Sequence, residues 1–248
     1  MSGIVRKVIR KKARVSFCYF KQKLWCRHLS AKLLGKGFHG ISIGDTNGNF
    51  FRPGWRTVDL LNADVVCDMR ENGLPFEDNS LDAAHASHLV EHISDPKQLF
   101  CEVHRCLKPG GIFRLSTPDL DLLISKCHEN DWRWFLGADG PLILERVIEG
   151  RLPPESLMIH NRLVGWLASY SGRLDTAGGP VIEKELVDEK LGFLSKYEFR
   201  DWCVSLLESD RVHAHVHVYD YEELDSVLRS YGFSEVVRKE SGNQIVHK

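Results

Sequence analysis

The sequence predicts an α/β protein: an open, doubly wound, mostly parallel sheet with a helical cap inserted late in the chain and a basic helix in front. Three observations carry this. From residue 40, short apolar runs alternate with helical segments, as strand–helix–strand units require. The candidate strands end at polar or acidic residues, Gly44-Asp45, Asp59, Asp68 and His85 to His88. Residues 130–212 then break that rhythm over a stretch too long to be bare loop. A chain of 248 residues, 43 % hydrophobic and with six Trp, can bury a core of this kind.

Taken in order, residues 1–36 form a basic arm. Of the 33 Lys and Arg, eleven fall there with no Asp or Glu, so the remaining chain holds 22 against 34 acidic residues. Ile4, Val5, Val8 and Ile9, then Leu24, Trp25, Leu29 and Leu33, recur at roughly helical spacing. Two readings stand: a solvated helix or tail, and an amphipathic helix lying on anionic lipid with Phe20 and Trp25 at the interface. Nucleic acid is the less favoured partner, because no interleaved aromatic platform follows.

The core is predicted over 37–129, with strands at 40–44, 56–60, 63–69, 80–86 and 112–119. "SDPKQLFCEVHRCLKPGG" (94–111) is the clearest helix. Asp95 caps it, Pro96 opens it, Leu99, Val103, Cys106 and Leu107 make its apolar stripe, and Gly110-Gly111 end it. Thr117-Pro118 opens a further helix to about Cys127. The cap, 130–212, is expected to be mainly helical, with an acidic helix near 183–191. The last segment, 213–248, returns to the core. There Asp220 and Glu223 form a capping box, Gly232 stops the helix, and "SEVVRKE" and "NQIVHK" close as a hairpin.

The seven cysteines are odd in number and form no C-x-x-C pair, which predicts reduced thiols rather than a disulfide framework or zinc site. No run of 18 apolar residues exists to span a bilayer, and the first residues lack a signal-peptide core. The chain is therefore expected to be cytoplasmic, with a peripheral place on the inner membrane face if the arm meets lipid.

In an open parallel sheet a ligand sits beyond the carboxyl ends of the strands. Two successive strands ending in Asp suit a nucleoside: Asp59 can accept from ribose hydroxyls and Asp68 from an exocyclic amine. Asp is also simply common at turns.

At 54–120 the sequence resembles the Rossmann-like, class I S-adenosylmethionine-dependent methyltransferases of type 11, in the subgroup often found beside glycan-assembly genes. The resemblance rests on "GWRTVDL", the run from Asp68 through "LPFEDNSLD", "SHLVEH" at 87–92, and "RCLKPGG" at 105–111. "HVYDYEELDSVLRSYGF" resembles the C-terminal strand entry and helix of that subgroup. The likeness covers about 40–125 and 213–240, leaving out the arm and 130–212.

This resemblance implies a seven-stranded sheet with an antiparallel C-terminal strand, and S-adenosylmethionine as cofactor. Gly44 and Asp45 would meet its methionine moiety, Asp59 with Leu60 the ribose, and Asp68 with Met69 the adenine. His85 and Ala86 would offer backbone groups to the amino-acid end. The family loop Gly-x-Gly-x-Gly stands here as Gly44-Asp45-Thr46-Asn47-Gly48, so Thr46 replaces a glycine.

Candidate acid/base groups are His88 and Asp119, with His160, His213, His215 and His217 behind them. Each has a bland alternative: His88 as a packing side chain, Asp119 as a helix-terminal acid. Glu91-His92 reads as structural. Three histidines at i, i+2 and i+4 spread over roughly 13 Å, too far for one ion without partners, so no metal site is expected. Trp132, Trp134 and Trp166 suit a sugar or aromatic pocket, or plain packing.

The expected activity is methyl transfer to a sugar hydroxyl or acid group of a glycan or its lipid-linked precursor. The arm would dock on an anionic membrane or a partner glycosyltransferase. A lapsed methyltransferase-like scaffold, favoured by Thr46, and a nucleic-acid or protein methyltransferase are the alternatives.

Overall fold

The computed structural model describes residues 37, 39–44, 54–69, 73–138, 140–168, 181–206, 215–239 and 243–247, and for 136–138, 140–143 and 243–247 the backbone alone. The basic arm, Asp45, Thr46 and Gly48 of the first loop, and His213 lie outside these residues. The strands are β1 (Gly40–Ile43), β2 (Trp55–Asp59), β3 (Val65–Val66), β4 (Leu81–Ser87), β5 (Leu107–Ser116), β6 (Glu235–Lys239) and β7 (Asn243–His247). The helices are α1 (Lys97–Cys106), α2 (Leu120–His128), α3 (Trp132–Ala138), α4 (Gly140–Ile148), α5 (Ile159–Ala168), α6 (Lys184–Phe193), α7 (Lys196–Ser205) and α8 (Tyr221–Ser230). Short 3₁₀ turns occupy Val90–His92 and Pro154–Leu157.

The strands form one sheet in the order β3-β2-β1-β4-β5-β7-β6. β1 to β5 run parallel, and β7 runs antiparallel to both β5 and β6. Strand order reverses between β1 and β4, so the ligand crevice of such a sheet opens beyond Ile43 and Ser87.

The chain divides into two compact units. The first holds the sheet with α1 and α8; the second holds Val90–Ser94 and Thr117–Tyr221. In the first, β1 is buried along its whole length, as a strand covered on both faces must be. Gly40 stands opposite Trp55 in the ladder, and a Cβ there would come 2.7 Å from the indole. Phe113 stacks on Phe233 at 5.8 Å and meets Phe100 edge-on at 6.4 Å. All three rings are at most 2 % exposed, and truncating one such ring to Ala costs about 3–5 kcal/mol.

The second unit is helical among its described residues. Leu120, Leu123, Phe135, Leu163, Leu167 and Phe199 lead its separate core. Ser195 and Glu198 form a full capping box at the start of α7. Lys196 bridges Asp121 and the buried Asp220, the residue predicted as the cap of α8. No helix among the described residues is long and apolar enough to cross a membrane. None of the described cysteines forms a disulfide.

Several boundaries differ from the sequence prediction. Helix α1 ends at Cys106 rather than at Gly110-Gly111, because Asn79 and Ser80 N–H groups donate to the Arg105 and Cys106 carbonyls. "KPGG" instead forms a bulge in β5, where the register with β4 shifts between Leu81 and Ala83. Strand β3 shrinks to two residues. There the Asp64 carboxylate accepts from the Thr57 N–H and hydroxyl, and the Asp64 N–H donates back to Thr57 Oγ1. Asp95 lies outside the helix proper, where its carboxylate accepts from Lys97 N–H while Pro96 holds the cap position.

Candidate functional site

Two strand ends meet at the reversal point. After β1, Gly44 turns the chain at φ +77° and donates its N–H to Val58 O at 2.9 Å. A Cβ at Gly44 would lie 3.2 Å from Leu89 Cδ1 and would be strained by that φ in any case. After β4, His88 also adopts positive φ, +52°, and donates its N–H to Ser116 O at 2.8 Å. A non-glycine residue in this region costs about 1–2 kcal/mol, and such outliers cluster at working sites. His88 is exposed.

Asp59 ends β2, half-buried, with its Oδ1 accepting from Leu60 N–H at 2.6 Å and its carbonyl from Cys67 N–H. Leu60 and Leu61 beside it are 42 % and 67 % exposed, an apolar flank next to a carboxylate. Asp68 follows β3 by two residues, half-buried, and Met69 is buried. The Cys67 thiol donates to Gly73 O. Burial, then the charges of Asp68 and Glu102, push that thiol up from its ordinary pKa. A hydrogen-bond-accepting carboxylate against an apolar flank is an arrangement suited to a nucleoside.

The structure places His85 and Ala86 differently from the sequence expectation. β4 runs on to Ser87, so both lie inside the ladders with β1 and β5. The strand end belongs to Ser87 and His88. The His85 ring is buried, 3.4 Å from Ser42 Oγ and 3.4 Å from Arg114 Nη1. Burial first, and the neighbouring guanidinium second, lower its pKa to about 3. It is neutral near pH 7, one member of a polar row crossing three central strands.

Asp119 is the N-cap of α2 in the second unit, its Oδ1 accepting from Leu122 N–H at 3.2 Å. The bland reading of Asp119 describes that bond fully. His160 is buried with Nε2 3.0 Å from Ile182 O. His217 Nε2 stands 3.0 Å from Arg200 Nη1. Trp134 and Trp166 pack against the helical core, whereas Trp132 is 51 % exposed with Arg133 over its ring.

Two of the motif runs build a clamp. Arg105 donates five hydrogen bonds: to Glu102 Oε1 and Oε2, to the Leu74 and Phe76 carbonyls, and to Asp78. Glu102 in turn accepts from Leu74 N–H at 2.7 Å. The Arg105 hydrogen bond holds the Glu102 carboxyl below its usual range. "LPFED" and the arginine of "RCLKPGG" are therefore mutual ligands within the first unit.

Residues 47–115 match a family model described as a methyltransferase domain. A ubiquinone/menaquinone biosynthesis C-methyltransferase of Pseudoalteromonas translucida is 27 % identical over 127 residues, 48 % of this chain and 50 % of that one. A protein of the same description from Desulfotalea psychrophila is 44 % identical over 46 residues, 18 % of each chain. The biotin biosynthesis bifunctional protein of Teredinibacter turnerae is 52 % identical over 44 residues, 18 % of this chain and 8 % of that one. The chain thus spans half or less of the length of these relatives. Among solved structures, a SAM-dependent methyltransferase of Thermotoga maritima is 16 % identical with a TM-score of 0.43, covering 100 % of this chain and 98 % of that one. Another, from Aquifex aeolicus, is 12 % identical with a TM-score of 0.39, covering 88 % and 87 %.

Proposed function

We propose that this chain is an S-adenosylmethionine-dependent methyltransferase whose cofactor lies along the carboxyl edge of the sheet in the first unit. One coincidence carries the reading. The segment matching the methyltransferase domain model is also the one that sets Asp59 at the end of β2 and Asp68 just after β3.

The residues fit that cofactor. Gly44 leaves open backbone where a Cβ would crowd Leu89, Asp59 offers a carboxylate to vicinal hydroxyls, and Leu60 and Leu61 offer an apolar face to a purine. Asp68 accepts from an exocyclic amine. When bound, S-adenosylmethionine supplies a methyl group already activated on a sulfonium. This chain's residues therefore have to orient it and exclude water, and positioning supplies most of the rate. His88, exposed beyond β4 at the reversal point, accepts the proton that a hydroxyl acceptor must lose.

The acceptor we propose is a sugar hydroxyl or acid group of a glycan or lipid-linked precursor, a reading that rests on the resemblance of this sequence to the methyltransferase subgroup often found beside glycan-assembly genes. The arm of residues 1–36 would hold the enzyme at an anionic membrane or a partner glycosyltransferase. A second reading, an aromatic carbon acceptor, is favoured by the two relatives named for quinone C-methylation.

The test is incubation with methyl-labelled cofactor and three acceptor classes: free sugars and uronic acids, lipid-linked oligosaccharides, and quinol precursors. The proposal expects label in a carbohydrate fraction, lost in Asp59→Ala. Label in the quinol fraction alone would replace the glycan acceptor with the carbon acceptor. Label in no fraction would leave the lapsed scaffold as the better account.

A further inference from the structure

We propose that Glu91, His92 and His215 form a site for one divalent transition-metal ion inside the second unit. The alternating histidines at 213, 215 and 217 are too widely spaced to share an ion. Folding instead brings one of them against the "EH" that follows β4. The Glu91, His92 and His215 ligand atoms lie within 4.8 Å of one another. The two imidazole rings meet edge to face with centroids 4.8 Å apart. Glu91 is fully buried, His215 is 1 % exposed and His92 is half-buried.

Two features set this group apart from an incidental cluster. The backbone is locked: Val216 N–H and His217 N–H both reach the Glu91 carbonyl, at 2.8 and 3.3 Å. The His215 tautomer is also fixed. Its Nδ1 lies 2.5 Å from the Trp166 carbonyl oxygen. A carbonyl only accepts, so Nδ1 carries the proton and the lone pair sits on Nε2. A histidine held by its other nitrogen to a backbone carbonyl is the arrangement that orients a metal ligand and raises its basicity. His217 stays outside, turned to Arg200 and tilted against Tyr219 with ring centroids 4.2 Å apart.

Two imidazoles and one carboxylate suit Zn²⁺, Co²⁺, Fe²⁺ or Mn²⁺ rather than Mg²⁺ or Ca²⁺, which prefer oxygen alone. Bonds of about 2.0–2.1 Å at tetrahedral angles place ligand atoms about 3.4 Å apart. Side-chain rotation of Glu91 and His92 would close the difference, with His215 held in place. Three protein ligands leave a coordination position for water or for an oxygen of a small molecule, as in sites that bind substrate rather than merely brace a fold.

The experiment uses the full chain, stripped with chelator and re-equilibrated with Zn²⁺ or, separately, Co²⁺. Metal per chain is measured after gel filtration, and the Co²⁺ visible spectrum reports nitrogen and oxygen ligands. The site predicts one equivalent per chain, weakened more than about tenfold in Glu91→Gln and His92→Ala and unchanged in His217→Ala. The seven cysteines could also take zinc, so the variants decide the assignment. Circular dichroism identifies folded variants, and His92→Ala, at a half-buried position, carries the decision if Glu91→Gln unfolds. Failure of the native chain to take up either ion, or uptake equal to native in folded His92→Ala, overturns the site. Neither result touches the methyl-transfer reading, which rests on other residues.

Discussion

The carboxyl edge of the sheet and the Arg105 clamp come from interleaved stretches of the first unit, yet they are built in opposite ways. At the edge, Asp59 and Asp68 are half-buried and His88 is exposed, and Gly44 and His88 hold left-handed backbone. In the clamp, Arg105 directs five hydrogen bonds into the protein and Glu102 takes up the Leu74 N–H. The edge gives up stability to keep polar groups accessible, while the clamp spends its polar groups on the fold. Equal prominence as a motif does not imply an equal role.

Variants can separate the two. Of the substitutions, the larger effect on stability is expected in the clamp: Arg105→Leu removes those five bonds and should lower stability by about 2–3 kcal/mol. Chemical denaturation measures this loss, and cofactor affinity of the remaining folded protein should be unchanged. A variant that lost affinity without losing stability would break the distinction.

Acid should act on His85 and Glu102 in the first unit. The His85 pKa is lowered from 6.5 to about 3, so the unfolded chain takes up a proton in that window that the folded one refuses. Stability should fall by roughly 1.4 kcal/mol per pH unit as pH drops between those values. Glu102 acts lower down. Its carboxyl is held below 4.5, so its contribution is present above that pH and is lost as pH falls through the folded value. Denaturant midpoints against pH check both, and Glu102→Gln should flatten only the lower part.

A smaller and opposite effect is expected at the edge. His88→Gly relieves left-handed strain and should raise stability by about 1 kcal/mol. If His88 is the base, turnover should fall about 10²-fold or more. Thermal melts and initial rates on one preparation test both signs.

What the sequence made legible follows the range of the forces involved. The apolar periodicity of α1, with Leu99, Val103 and Cys106 buried, and the order of the first five strands are local patterns. The end of α1 was not legible. It is set by Asn79 and Ser80, more than 20 residues upstream, rather than by the glycine pair that usually stops a helix. His85 looked like a strand-end residue because the run turns polar there, yet the ladder extends to Ser87. Asp59 and Asp68 were readable as strand exits. The gathering of Glu91, His92 and His215 was not, because no spacing rule joins residues so far apart in the chain.

Calorimetric titration with S-adenosylhomocysteine, native chain against Asp59→Ala, tests the central claim most directly. The account predicts micromolar binding by the native chain and at least a tenfold loss in a variant whose melting temperature is unchanged. No binding by the native chain at millimolar ligand, or equal binding by both proteins, would contradict it.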